Sequence, residues 1–308
     1  MRKVVASSVI RSAHQGESHG GVYVIDLQSG EHSQVIDWND DTISWEGRGM
    51  DRGLRGIAFY NQEIYMAASD EIFVYDRNFT LLESYRNKYL RHCHEIFISD
   101  NKLYLSSTGF DSILVLDLDT KSFEIGYCFR HIPNQGKFIF APYDPMSASG
   151  PPMGDTVHLN NVHVIDGTLF FACLRVPELL YVQGDTPISY AHIPTGSHNA
   201  RPFLKGVLLN DTDSDRVSYV DLRGNFIETF PIIHYDQDDL LNTGLPRDHA
   251  RQAFARGLCV SDDDLIVTGS SPATISLYRF GQPEPLKVAT LTMDVRNSVH
   301  GLEIWPFD

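Results

Sequence analysis

Cysteine is scarce: Cys93, Cys128, Cys173 and Cys259 stand far apart in 308 residues, and no CxxC pair occurs. That spacing excludes a zinc ribbon or a disulfide framework and fits a reducing compartment. Long apolar runs are also missing. The basic start, MRKVVASSVIRSAHQGES, breaks its apolar stretch early with Ser and Arg, so neither a secretory signal nor a spanning helix is expected. Positive charge is in deficit, with 25 Lys and Arg against 40 Asp and Glu for a formal charge of −15. Such a balance repels phosphate backbones and anionic membrane surfaces. The expectation is a cytoplasmic protein without nucleic-acid or membrane partners. GxGxxG, Walker, GxSxG and HExxH motifs are absent, which leaves nucleotide folds and serine hydrolases without local support.

What is present favours strands. Hydrophobic residues make up 42% and charged residues 21%, and 14 Tyr and 17 Phe accompany frequent Val and Ile. A repeat then organises the chain: a short apolar strand, a polar turn and a second apolar strand. It reads GIAFYNQEIYMA from Gly56, EIFISDNKLYLS from Glu95, NVHVIDGTLFFA from Asn161, NARPFLKGVLLN from Asn199 and GLCVSDDDLIVT from Gly257. A sixth copy starts with GLEIWPFD at Gly301, and its second strand is supplied by KVVASS from Lys3. Third strands follow most copies, at Ile72, Ile113, Val217, Ile275 and Gly21, usually with a fourth.

Four strands per repeat make a propeller blade, whose apolar faces are buried only against neighbouring blades. The chain therefore resembles the six-bladed β-propeller superfamily over essentially its whole length, through strand pattern and terminal pairing and without a WD, kelch or YWTD signature. The resemblance implies an all-β, single-domain protein over 1–308, with blade starts near 55, 94, 160, 198, 256 and 300 and the ring closed by pairing of N- and C-terminal strands. The competing architecture is a pair of β-sandwiches linked through the Pro-, Gly- and Ser-rich stretch PYDPMSASGPPMGD from Pro142.

Aligning the copies puts Arg55, His94, Asn160, His198, Arg256 and His300 immediately before the innermost strands, where a propeller lines its axis. Three imidazoles can share one divalent transition metal, with Zn, Fe, Mn, Cu and Ni not distinguished, and three protein ligands leave a position for water or substrate. His94, His198 and His300 are thus the expected metal ligands, unless the histidines merely line a watery channel. Arg55 and Arg256 suit a carboxylate or phosphate, which makes a small anionic substrate the expected partner; the alternative is local ion pairing with Asp51, Glu95 or Glu303. Asn160, Glu95 and Glu303 are candidates to orient substrate or move a proton. Three insertions, 37–54, 131–159 and 234–255, are expected as lids and carry Trp38, Trp45, Arg48, Arg52, Phe138, Phe140, Tyr143, His158, Tyr235, Arg247, Asp248 and His249. Of these, Tyr143, His158 and Arg247 are candidate substrate contacts. The run DTDSD at 211–215 lacks the Gly and Glu of an EF-hand loop and reads as a solvated turn.

Resemblance to metal-centred propellers known as lactonases and polyuronate lyases implies a lyase, hydrolase or isomerase. Two alternatives stay open: an iron or copper oxygenase on the same histidines, and a non-catalytic interaction propeller.

Overall fold

The computed structural model describes residues 3–39, 53–246, 250–261 and 264–307. Trp45, Arg48, Asp51, Arg52, Arg247, Asp248 and His249 lie outside the described residues. Strands β1 (Lys3–Ile10), β2 (Gly20–Asp26) and β3 (His32–Asp37) begin the first of six antiparallel sheets. The second contains β4 (Ile57–Tyr60), β5 (Glu63–Ala68), β6 (Glu71–Asp76) and β7 (Leu81–Arg86). The third holds β8 (Cys93–Ser99), β9 (Lys102–Ser107), β10 (Ser112–Asp117), β11 (Ser122–Ile132) and β12 (Lys137–Tyr143). Next come β13 (Leu159–Ile165), β14 (Thr168–Cys173), β15 (Val176–Gln183) and β16 (Thr186–His192), then β17 (Ser197–Phe203), β18 (Gly206–Asp211), β19 (Arg216–Asp221) and β20 (Phe226–Pro231). The sixth comprises β21 (Arg256–Val260), β22 (Leu265–Ser270), β23 (Thr274–Arg279) and β24 (Gln282–Thr290). The last strand, β25 (Asn297–Ile304), returns to the first sheet and pairs with β1, Val4 opposite Ile304 and Ile10 opposite Asn297. The chain is a six-bladed β-propeller.

Local chemistry explains the hairpins. Asn61 and Gln62 both take positive φ (46° and 68°) between β4 and β5, as do Asp166 and Gly167 (48° and 73°) between β13 and β14. Positive φ at both central residues is what a tight hairpin turn requires, because its twist matches that of the strands. Burial grades across each blade. β10, SILVLD, is buried at every position, whereas the outer β7, LLESYR, is exposed or half-exposed throughout. Strands covered on both faces read as continuous apolar runs, and full burial of Ile113, Leu114 or Leu116 stabilises the fold by about 2 kcal/mol each.

The strands pack as two compact units. One consists of Met1–Ile57, Asn210–Ser218 and Glu228–Asp308, with a core that includes Val4, Ile25, Val267, Ile275, Val299 and Leu302. The other consists of Ala58–Leu209 and Tyr219–Ile227; here Ile72, Val74, Leu103, Leu105, Leu114 and Leu116 share one core, and Phe129, Phe140, Phe171 and Leu180 another. Among the described residues no helix is long and apolar enough to cross a membrane.

Hydroxyl groups at or just past the second strand of alternate blades tie each to the blade that follows. Ser7 Oγ donates to Arg55 O, Thr108 Oγ1 to Leu159 O at 2.6 Å and Thr212 Oγ1 to Ala255 O at 2.9 Å. The two threonines open short 3-10 turns, each ending in a left-handed Asp, Asp111 (φ 46°) or Asp215 (φ 53°).

That turn corrects the expectation for DTDSD. Asp211 and Thr212 are buried, Asp211 pairs with Arg216 Nε at 2.9 Å and Asp215 with Arg251, so the run is a structural corner and its acids are mostly engaged inside the protein. The 131–159 insertion is likewise no plain loop. Lys137–Tyr143 forms a fifth strand paired to β11, and Phe140 stacks on Tyr127 at 4.8 Å and on Phe171 at 5.4 Å, at the edge of the sheet opposite β8. The Pro- and Gly-rich stretch after it is pinned within its own unit. Tyr89 Oη donates to Ser147 O (3.0 Å) and accepts from Gly150 N (2.7 Å), which removes it as a linker between sandwiches. In the 234–255 segment, Leu240 and Ala250 pack with Val295, Tyr235, Leu245 and Met293 in a small core of their own.

Candidate functional site

The six aligned residues all fall at the first strand of a blade. Arg55 precedes β4, His94 is second in β8, Asn160 second in β13, His198 second in β17, Arg256 first in β21, and His300 lies within β25. Arg55, Arg256 and His300 belong to the first unit; the other three belong to the second.

In the first unit the backbone itself brings three of them together. A Cβ on Gly301 would stand 2.0 Å from Arg55 O, and one on Gly257 (φ 72°) would stand 3.1 Å from His300 O, so only glycine permits these approaches. Ser7 completes the junction, accepting from Gly301 N at 2.9 Å while donating to Arg55 O.

Around this junction gather more guanidinium groups than the alignment had selected. Arg11 Cζ lies 3.9 Å from the centroid of the Phe254 ring, Arg256 Cζ 4.8 Å and Arg251 Cζ 5.2 Å. Cation–π attraction to the one ring offsets part of the repulsion among them. Arg251 is paired with Asp215. Arg11 is only 5% exposed, and its buried Nε has no hydrogen-bond partner among the described residues. Burial, reinforced by Arg55 and Arg251, lowers the Arg11 pKa to about 10, so it stays charged at neutral pH.

His300 is buried beside these cations. Burial first, then Arg256, Arg55 and Arg11, hold its pKa well below the usual histidine value. Its Nδ1 donates to Ser298 O at 3.1 Å, which leaves the lone pair on Nε2. The imidazole is therefore neutral at physiological pH.

His163 in the second unit is shifted the same way by burial and by Arg201, and its ring packs on Phe97 at 4.1 Å. Unfolded histidine takes up a proton below about pH 6.5, and neither folded residue does. The unfolded state thus binds more protons, so stability falls as pH drops, by up to about 1.4 kcal/mol per pH unit for each residue. Urea unfolding between pH 7.5 and 5 should show this decline, and His163→Leu should remove about half of it; equal slopes in the two proteins would refute the assignment.

In the second unit His94 Nδ1 lies 2.8 Å from His92 O and 2.9 Å from Thr108 Oγ1, and the His94 ring meets His158 edge-on at 5.2 Å. His158 Nδ1 sits 2.9 and 3.0 Å from the two oxygens of Asp155, which Arg175 Nη1 also holds at 2.8 Å. Asn160 Nδ2 donates to Ser197 O at 3.1 Å, tying β13 to the first strand of the next blade, and Glu95 Oε1 accepts from Asn199 Nδ2 at 2.6 Å, tying β8 to the first strand two blades on. His198 is buried. Glu303, on β25 opposite Val5, is half-buried. Tyr143 packs over Gly126 and edge-on against Tyr89 at 5.1 Å, as a wedge within its blade.

Among the described residues no three His, Cys, Asp or Glu side chains are grouped to hold a metal ion. His94 and His198 belong to the second unit and His300 to the first, where the three guanidinium groups acting on it oppose a divalent cation. Arg11, Arg251 and Phe254 were invisible to the alignment, which selected only positions before first strands. Arg11 follows a second strand; aligning the ends of second strands would have reached it.

No protein-family model matches the sequence, and no curated protein matches it. Solved structures do. AztD from Citrobacter koseri is similar in fold at 10% identity and a TM-score of 0.52, over 99% of this chain and 98% of that one. A putative 6-phosphogluconolactonase from Bacteroides fragilis aligns at 11% identity and a TM-score of 0.50, over 95% and 82%. A streptogramin B lyase aligns at 12% and 0.45, over 83% and 94%. At such identities the likeness is one of fold, and function has to be argued from the site.

Proposed function

We propose that the chain is an enzyme of the lyase, hydrolase or isomerase type acting on a small anionic organic molecule, whose carboxylate or phosphate is held by Arg11, Arg55 and Arg256. One observation carries this reading: three guanidinium groups act together on one buried histidine in a protein that is otherwise strongly acidic. Guanidinium matches carboxylate and phosphate oxygens in pairs, so several such groups beside one neutral imidazole suit an anionic substrate group.

The same charges give His300 a conditional basicity. In the empty site the cations suppress protonation at Nε2. A bound anion cancels much of their field, restores proton affinity, and allows His300 to accept a proton from the substrate or from water beside it. Base strength then rises only when substrate is present.

Calorimetric titration with malonate, citrate, inorganic phosphate and a sugar phosphate tests the site. At least one should bind more tightly than millimolar, and Arg11→Met or Arg256→Met should weaken it by about 10- to 100-fold, the equivalent of losing one or two charge-assisted hydrogen bonds. Binding by neither wild type nor variants, or equal binding by both, would overturn the proposal.

A further inference from the structure

We propose that Phe254 is a positioning residue of the anion site described above, a role that rests on that site: the ring holds Arg11 and Arg256 side by side before an anion arrives. Arg11 shows why a positioning group is needed. Its backbone N–H donates to Arg296 O at 3.0 Å, which fixes the start of the side chain. At the other end the residue is only 5% exposed, the buried Nε has no hydrogen-bond partner among the described residues, and the charges felt there are those of Arg55 and Arg251, both of like sign. Attraction comes from the aromatic ring instead.

Arg11 Cζ lies 3.9 Å from the Phe254 centroid. Carbon atoms in contact stay about 3.5–4.0 Å apart, so an approach along the ring edge would hold Cζ at about 5 Å or more, and the guanidinium must lie over the π face, the negative part of the ring. A ring attracts the cation without consuming any of its N–H donors, which at Arg11 stay available for carboxylate or phosphate oxygens; an Asp or Glu partner would occupy them. Arg256 Cζ stands 4.8 Å over the same ring. Arg251, at 5.2 Å, is the fixed neighbour of the group, tied to Asp215 and to Thr212 O.

The ring is itself held in place. Ala253, the residue before it, is fully buried in a left-handed backbone (φ 59°) that side-chain-bearing residues seldom adopt. Such strain persists only where the surroundings over-determine it. Here Ser271 does so from both sides of the turn: Ala253 N donates to Ser271 O at 2.6 Å, and Ser271 Oγ donates to Arg251 O. Without the ring the like charges would separate, and an arriving anion would have to gather them again at the expense of affinity. Phe254 does that gathering beforehand.

The test keeps the shape of Phe254 and withdraws its π electrons in steps. Full-length protein carrying mono-, di- or trifluorinated phenylalanine at this position is titrated by calorimetry with malonate, citrate and inorganic phosphate, beside wild type and Phe254→Leu. Affinity should fall with each added fluorine and reach a loss of about 5- to 30-fold in the trifluorinated protein and in Phe254→Leu, while Phe254→Tyr, which keeps a π face, should bind within about 2-fold of wild type. A ring that only packs would give equal affinity across the fluorinated series, and that result, or wild-type affinity in Phe254→Leu, would overturn the role. Circular dichroism separates lost affinity from lost folding in Phe254→Leu, and the near-isosteric fluorinated proteins decide the matter if that variant does not fold. No binding of any of the three anions by wild type fails the anion site and the role of Phe254 with it; binding by wild type with a flat series fails the role of Phe254 alone.

Discussion

Replacing Asp111 with Ala should cost about 4 kcal/mol of folding stability, a large fraction of what a domain possesses. The carboxylate is fully buried. It accepts from Thr156 N (2.7 Å) and Val157 N (3.2 Å) on one oxygen and from His158 N (3.0 Å) on the other, with Arg130 Nη1 3.8 Å away. Truncation leaves three backbone donors without their acceptor at the entry to β13, each costing about 1–3 kcal/mol where burial denies it water. It also puts Ala at φ 46°, a conformation Asp tolerates better. Asp111→Asn keeps the shape and one acceptor oxygen, so about half the loss is expected. Urea unfolding followed by circular dichroism distinguishes the cases, and an Asp111→Ala protein within 1 kcal/mol of wild type would show that the carboxylate is no anchor.

Gly301→Ala should be nearly as damaging, at about 3 kcal/mol, for a steric reason. The new methyl group would meet Arg55 O at 2.0 Å and Ser7 Oγ at 2.6 Å, and the carbonyl belongs to a backbone that has no rotamer to change. Relief requires β25 and the segment before β4 to part, which separates His300 from Arg55. The variant should therefore lose anion affinity along with stability. Gly244→Ala, where nothing lies within 4 Å of the added atom and φ is ordinary, is the control and should stay within about 0.5 kcal/mol of wild type. Equal stability of the two variants would show that the close approach carries no constraint.

The blades were legible because two independent signals coincide in each copy. Apolar alternation marks the strands, and residues such as Asn61, Asp100 and Asp166 mark turns that need positive φ. Aligning on those turns located Arg55, Arg256 and His300, which the fold does bring together. It could not show that glycine contacts at 257 and 301 draw the strands close, nor that Arg11 and Phe254 enter from elsewhere in the chain. Metal ligation by three histidines was inferred from residue type at equivalent positions; equivalence along a repeat does not fix where imidazole nitrogens point. His158 was read as a lid residue and candidate substrate contact, two places before Asn160. Its partner Asp155 lies three residues earlier on an irregular loop, where no periodicity relates the two. The fifth strand, β12, was hidden because the Pro- and Gly-rich run that follows it drew attention to a loop.

The pairing of β25 with β1 has a consequence for how the protein is made. A hydrogen bond from Gly301 to Ser7 joins residues 294 apart in sequence. At ribosomal rates of about 5–20 residues per second, β1 leaves the ribosome roughly 15–60 s before its partner exists. Through that interval KVVASSVI offers an unpaired, largely apolar edge. Nascent chains should consequently depend on a holding chaperone, and ribosome stalling ahead of β25 should leave them prone to aggregation even with every other strand already synthesised.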